Sequence, residues 1–115
     1  MIRRLFFLLM FVMSSSLCAA QAPQTKEIHV EAFKYGYSPD PIVVKKGEHV
    51  RILATSRDVN HGFEIKEYGI NAEIKKGGKT EIDFVADKAG TFIIKCSVFC
   101  GLGHFSMRGR LIVEE

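Results

Sequence analysis

No stretch of this 115-residue chain stays apolar long enough to span a bilayer: its longest run, Leu5–Met13, is nine residues, against the ~20 a spanning helix needs. Charge of one sign is missing too. Sixteen Lys and Arg against 13 Asp and Glu leave a formal +3, too even a balance for a nucleic-acid binder, which needs a clear basic excess. There is no internal repeat and no low-complexity segment, so the length implies one domain. No Ser-His-Asp set, phosphate-binding glycine loop or paired-carboxylate signature is present, and the chain alone shows no substrate chemistry. No window has a convincing amphipathic helical period. Tryptophan is absent, and cysteine is limited to Cys18, Cys96 and Cys100.

The N-terminus reads as an export signal. Arg3 and Arg4 form a positive n-region, Leu5–Met13 an apolar core, and Cys18-Ala19-Ala20 before Gln21 a small-residue cleavage junction. An uncleaved anchor is the alternative, if Ser14 to Ala20 also enters the bilayer. Leu17 directly before Cys18 argues against a lipid-modified cysteine. Cleavage leaves 21–115 as one domain; losing Arg3 and Arg4 lowers the formal charge to +1. A domain of that size buries only about 60–65% of its unfolded surface, so a metal cross-link is an asset.

Period-2 alternation recurs along that domain: Ile28/Val30/Ala32, Val50/Ile52/Ala54, Phe63/Ile65, Ile82/Phe84, Phe92/Ile94 and Leu111/Val113. Turn signals separate the runs at Ser38-Pro39-Asp40-Pro41, Lys46-Gly47-Glu48, Lys76-Gly77-Gly78-Lys79 and Asp87-Lys88-Ala89-Gly90. Short strands with Gly/Pro turns predict an all-β Greek-key sandwich. Gln21 to Thr25 reads as a frayed linker. Cys96 is placed at the end of one strand and Met107 at the start of the last. His29 and His49 fall opposite the apolar face, as solvated residues.

The chemistry lies between those two strands. Cys96, Cys100, His104 and Met107 are spaced C-x3-C-x3-H-x2-M, and His61 lies 35 residues before Cys96 in Asp58-Val59-Asn60-His61-Gly62-Phe63. These soft and borderline donors suit copper rather than calcium, magnesium or manganese. Two thiols, two imidazoles and a thioether exceed what one blue-copper ion uses, and match two copper ions bridged by two thiolates. Sharing one electron over two metals halves the charge change at each, so bond lengths shift little and transfer is fast.

C-x3-C-G-x2-H-x2-M preceded by D-V-x-H-[GS]-F resembles the CuA domain of cytochrome c oxidase subunit II, also found in nitrous oxide reductase. The resemblance runs from about Phe33 to Glu115. It implies a cupredoxin-like fold and a binuclear copper centre held by His61, Cys96, Cys100, His104 and Met107, with the backbone carbonyl of Val98 as a further ligand. It implies single-electron transfer from a c-type cytochrome or small copper protein to a terminal oxidase or reductase. The site would then lie in the periplasm or at the outer face of the cytoplasmic membrane. Membrane contact would come only through a partner or an uncleaved N-terminal segment. The missing Trp departs from the many relatives that use one where the cytochrome delivers its electron.

Duller readings remain open for these residues. Cys96 and Cys100 alone would suit a disulfide in an oxidising compartment, and Met107 alone would suit a core. Asp58 either anchors a ligand or only turns its loop. Phe99 and Phe105 either pack around the loop or form a water-excluding collar for a partner. Arg108 and Arg110 read as a solvated strand face. A periplasmic copper-delivery or storage protein of cupredoxin fold is the rival function, though it would be expected to carry Met- and His-rich tracts. A metal-free sandwich would leave the His and Met register unexplained.

Overall fold

The computed structural model describes residues 25–115. The export signal, its cleavage junction and all of the expected linker but Thr25 lie outside the described residues. Thr25 itself is the first residue of β1 (Thr25–Phe33) rather than linker. Then follow β2 (Gly36–Ser38), β3 (Ile42–Lys45), β4 (His49–Ser56), β5 (His61–Ile65), β6 (Ile70–Ile74), β7 (Thr80–Val85), β8 (Gly90–Lys95) and β9 (Arg108–Glu114). Single 3-10 turns occupy Lys66–Tyr68 and His104–Ser106.

The strands form two sheets, in the orders β2-β1-β4-β7 and β3-β9-β8-β5-β6. Most neighbours are antiparallel, but β1 pairs β4 and β3 pairs β9 in parallel, which the alternation alone does not reveal. Side chains of alternate residues face the core, as the period-2 pattern requires. Val30, Ala32, Val50, Ile52, Ala54 and Ile82 enter from the first sheet; Ile42, Val44, Phe63, Ile65, Ile74, Ile94, Leu111 and Val113 enter from the second. Each large side chain so buried contributes about 1.5–3 kcal/mol. His29 and His49 are exposed, as expected.

Register decides where the chemistry gathers. Glu64 pairs with Lys95 across β5 and β8, so the start of β5 and the residues just after β8 lie at one end of the sandwich. Lys95 pairs with Arg108 across β8 and β9, so residues 96–107 close the connection between two hydrogen-bonded strands. Cys96 lies one residue beyond β8 and Met107 one residue before β9, each a residue outside its expected strand. His61 is the first residue of β5.

Candidate metal centre

Four side chains of the 96–107 connection gather at the Cys100 sulfur, and two of them, Cys96 and Cys100, meet His61. Cys96 Sγ and Cys100 Sγ are 3.6 Å apart, both free and both buried. That separation exceeds a disulfide bond of about 2.05 Å and is less than twice a metal–thiolate bond of about 2.3 Å. One ion can therefore touch both sulfurs. Cys100 Sγ also lies 3.6 Å from His104 Nδ1 and 3.8 Å from Met107 Sδ. Cys96 Sγ faces the Val98 carbonyl oxygen at 3.0 Å. Donor atoms of His61, Cys96 and Cys100 all lie within 4.8 Å of one another.

His61 supplies the strongest test of fit. The ring is wholly buried, and its Nε2 lies 2.6 Å from Asp58 Oδ1. A carboxylate only accepts, so Nε2 carries a proton, which in the neutral imidazole leaves the lone pair on Nδ1. Among the described residues that buried Nδ1 has no hydrogen-bond partner. An unsatisfied buried acceptor is costly, and the His61 ring presents a nitrogen within 4.8 Å of both cysteine sulfurs, as a metal ligand would. Asp58 is thus an anchor and not only a turn residue. Burial works against its ionisation, but the Lys34 N–H (2.8 Å), the His61 ring and the Val59 N–H (2.7 Å) prevail and hold it at about 2. Burial, and then the neighbouring Cys96, push the Cys100 thiol up to about 11. A metal must displace that proton, as it does whenever it takes a thiol ligand.

The connection is shaped by glycine. Gly101 has φ +139°, in the region that L side chains avoid. A Cβ on Gly103 would come within 2.5 Å of the Tyr35 ring, which lies along the loop between Cys100 and His104. Gly62 is tighter still, since a Cβ there would overlap the Ser97 backbone and side chain and come within 2.6 Å of Val98 N. Tyr35 carries no sequence signal, because its contacts join segments far apart in the chain, and Gly62 is marked only by the small residue its motif calls for.

The outer surface of the loop is apolar. Phe99, Leu102 and Phe105 are 68%, 99% and 79% exposed. Phe99 and Phe105 flank the half-buried His104 imidazole at ring-centroid distances of 5.5 and 5.0 Å. They form a collar at the surface and do not pack beneath the loop. Arg108 and Arg110 are exposed as expected, and the Arg110 N–H donates to Asp40 Oδ1 at 3.0 Å.

Comparison with known proteins agrees with this arrangement. A cupredoxin-like domain model matches residues 4–113. The cytochrome c oxidase subunit 2 of Thermus thermophilus is 37% identical over 93 residues, covering 81% of this chain and 69% of the relative. The chain belongs to the cupredoxin family, in its cytochrome c oxidase subunit 2 branch. The nitrous-oxide reductase of Ralstonia nicotianae is 38% identical over 82 residues, covering 68% of this cupredoxin but only 13% of the reductase. The fold superposes with a TM-score of 0.72 on the periplasmic domain of subunit II of cytochrome oxidase from Bradyrhizobium japonicum, at 22% identity over 78% of this chain and 84% of that one. Membership of this family implies copper binding. Among the described residues no helix is long and apolar enough to cross a membrane.

Proposed function

We propose that this cupredoxin domain holds two copper ions in a CuA centre and passes single electrons from a c-type cytochrome, or a similar small donor, to a terminal oxidase or reductase. The observation that carries this reading is the pair of buried thiol sulfurs 3.6 Å apart, with a His61 ring nitrogen within 4.8 Å of both and His104 Nδ1 3.6 Å from Cys100. His61, Cys96, Cys100, His104 and Met107 would hold the metal, with the Val98 carbonyl as an outer donor. Bound copper supplies a one-electron couple whose charge is spread over two ions and two sulfurs.

The chain's own residues do the rest. Cys96 and Cys100 would both supply thiolate to the metal, Met107 and the Val98 carbonyl would serve as weak donors, and Asp58 fixes the His61 ring. The rigid ends of β5, β8 and β9 hold the ligands still through a redox change, which keeps reorganisation small. His104 lies beneath the exposed collar and is the natural entry point for an electron. His61 is closed off from solvent, which disfavours the ready exchange that copper delivery requires. On this reading residues 1–20 direct export, and 21–115 act in the periplasm or at the outer face of the cytoplasmic membrane.

The stoichiometry tests it. The copper-loaded protein should hold two copper ions per chain after gel filtration and give the seven-line EPR signal of a shared valence. One copper, a four-line signal and one free thiol would replace this centre with a mononuclear site.

A further inference from the structure

Gly62 is held at both ends of its backbone. Its N–H donates to Cys96 Sγ at 3.3 Å, and its carbonyl accepts from the Tyr37 hydroxyl at 2.6 Å. Tyr37 comes from β2, the three-residue edge strand of the opposite sheet, and its ring is buried. The ring meets Phe63 edge-on at 5.7 Å and lies so close to Gly109 that a Cβ there would come within 2.9 Å of it. Little freedom is left to the hydroxyl. Burial, and then the nearby Cys96 and Cys100, raise its pKa, so it remains a donor. The two sulfurs are therefore unequal. Cys96 receives a backbone N–H, whereas Cys100 meets Cys96, His104 and Met107 side chains and, among the described residues, no backbone donor.

We propose that Tyr37 is a positioning residue for the copper centre: its hydroxyl holds the Gly62 backbone so that the Gly62 N–H stays on the Cys96 sulfur, which favours the reduced form. The inference rests on the CuA reading above. An N–H presents its positive end to the sulfur, and reduction adds negative charge that the sulfurs share. The donor therefore stabilises the reduced state more than the oxidised one. Hydrogen bonding around a cysteine sulfur tunes copper potentials in this way.

Tyr37→Phe keeps the ring and removes only the hydroxyl. Two readouts apply: amide exchange at Gly62 by NMR in the reduced, metal-free protein, and midpoint potential after copper loading. Tyr68→Phe is the control, since the Tyr68 hydroxyl donates to the Lys88 carbonyl at 2.7 Å outside the copper site. In Tyr37→Phe, Gly62 exchange should quicken at least about tenfold. The reduction equilibrium should fall about threefold to tenfold, the upper figure being about 59 mV for one electron, with the copper count unchanged. The control should move neither readout. An unchanged potential in Tyr37→Phe overturns the proposal whatever the exchange rate. If that variant does not fold, Gly109→Ala displaces the same ring and should lower the potential likewise; an unchanged potential there is equally fatal. A wild-type protein that takes up no copper would remove the CuA reading, and unchanged Gly62 exchange would then remove the backbone clamp independently.

Discussion

Gly62 contributes only backbone, yet a Cβ at that position would overlap Ser97. Gly62→Ala should destabilise the metal-free protein by about 1–3 kcal/mol, the usual cost of overpacking a tight site, read as a lower urea midpoint. The donors behave differently because their role is chemical. Cys100→Ser should abolish the shared-valence EPR spectrum, since the proposed bridge needs both sulfurs. Met107→Leu should retain both coppers and shift the potential, because a weak axial donor tunes more than it binds. Persistence of the seven-line signal in Cys100→Ser would overturn the bridge. The candidate donors were legible as a cluster because four of them crowd into twelve residues at fixed spacing. Tyr37 was not, because 59 residues separate it from Cys96 and a buried tyrosine with a satisfied hydroxyl looks like any other core residue.

The decisive element is the 96–107 connection, clamped between the paired ends of β8 and β9. Without metal it holds two thiols close enough to oxidise after a small movement. The raised pKa of Cys100 sets the direction of the pH dependence. Burial favours the protonated thiol, so thiolate is scarce at neutral pH and increases toward about 11. Thiolate is the reacting form, so oxidation of the apo protein to a Cys96–Cys100 disulfide by an added small-molecule disulfide, which takes the two electrons and leaves as two thiols, should accelerate about tenfold per pH unit between pH 7 and 9. The oxidised product should take up no copper until reduced. Thiol counting by mass spectrometry, with copper added at each time point, follows both events, and a pH-independent rate would show that attack by thiolate does not limit it. Strand legibility followed length and burial. Alternation exposed β1, β4, β5, β7, β8 and β9. By contrast β2 has three residues and β3 follows a proline-rich turn, whereas β6 does alternate Ile70, Ala72 and Ile74 with Asn71 and Glu73 and was readable in principle. The parallel pairings are set by tertiary packing, and no local pattern encodes them.

At the scale of the whole molecule, the sandwich keeps its buried donors at one end and puts an apolar rim over them. The sandwich class was readable because six strands shared one period; the rim was readable only as two alternatives for Phe99 and Phe105, since residues in a connection have no face until the connection is folded. Leu102, almost wholly exposed between them, completes a patch beside His104. Contiguous apolar surface of this kind marks an interaction site. Burying a leucine in an interface is worth about 1.5–3 kcal/mol, or roughly tenfold or more in affinity. Leu102→Ser should therefore slow second-order reduction by a c-type cytochrome at least about tenfold. Copper content, EPR spectrum and midpoint potential should stay as in the wild type, because the side chain is almost wholly exposed. Encounter driven by apolar contact should also depend weakly on ionic strength, whereas steering between charged faces falls steeply with added salt. Stopped-flow mixing across a salt series measures both effects. A Leu102→Ser protein that accepts electrons at the wild-type rate would place the docking surface elsewhere on the sandwich and leave the collar with only the exclusion of water from His104.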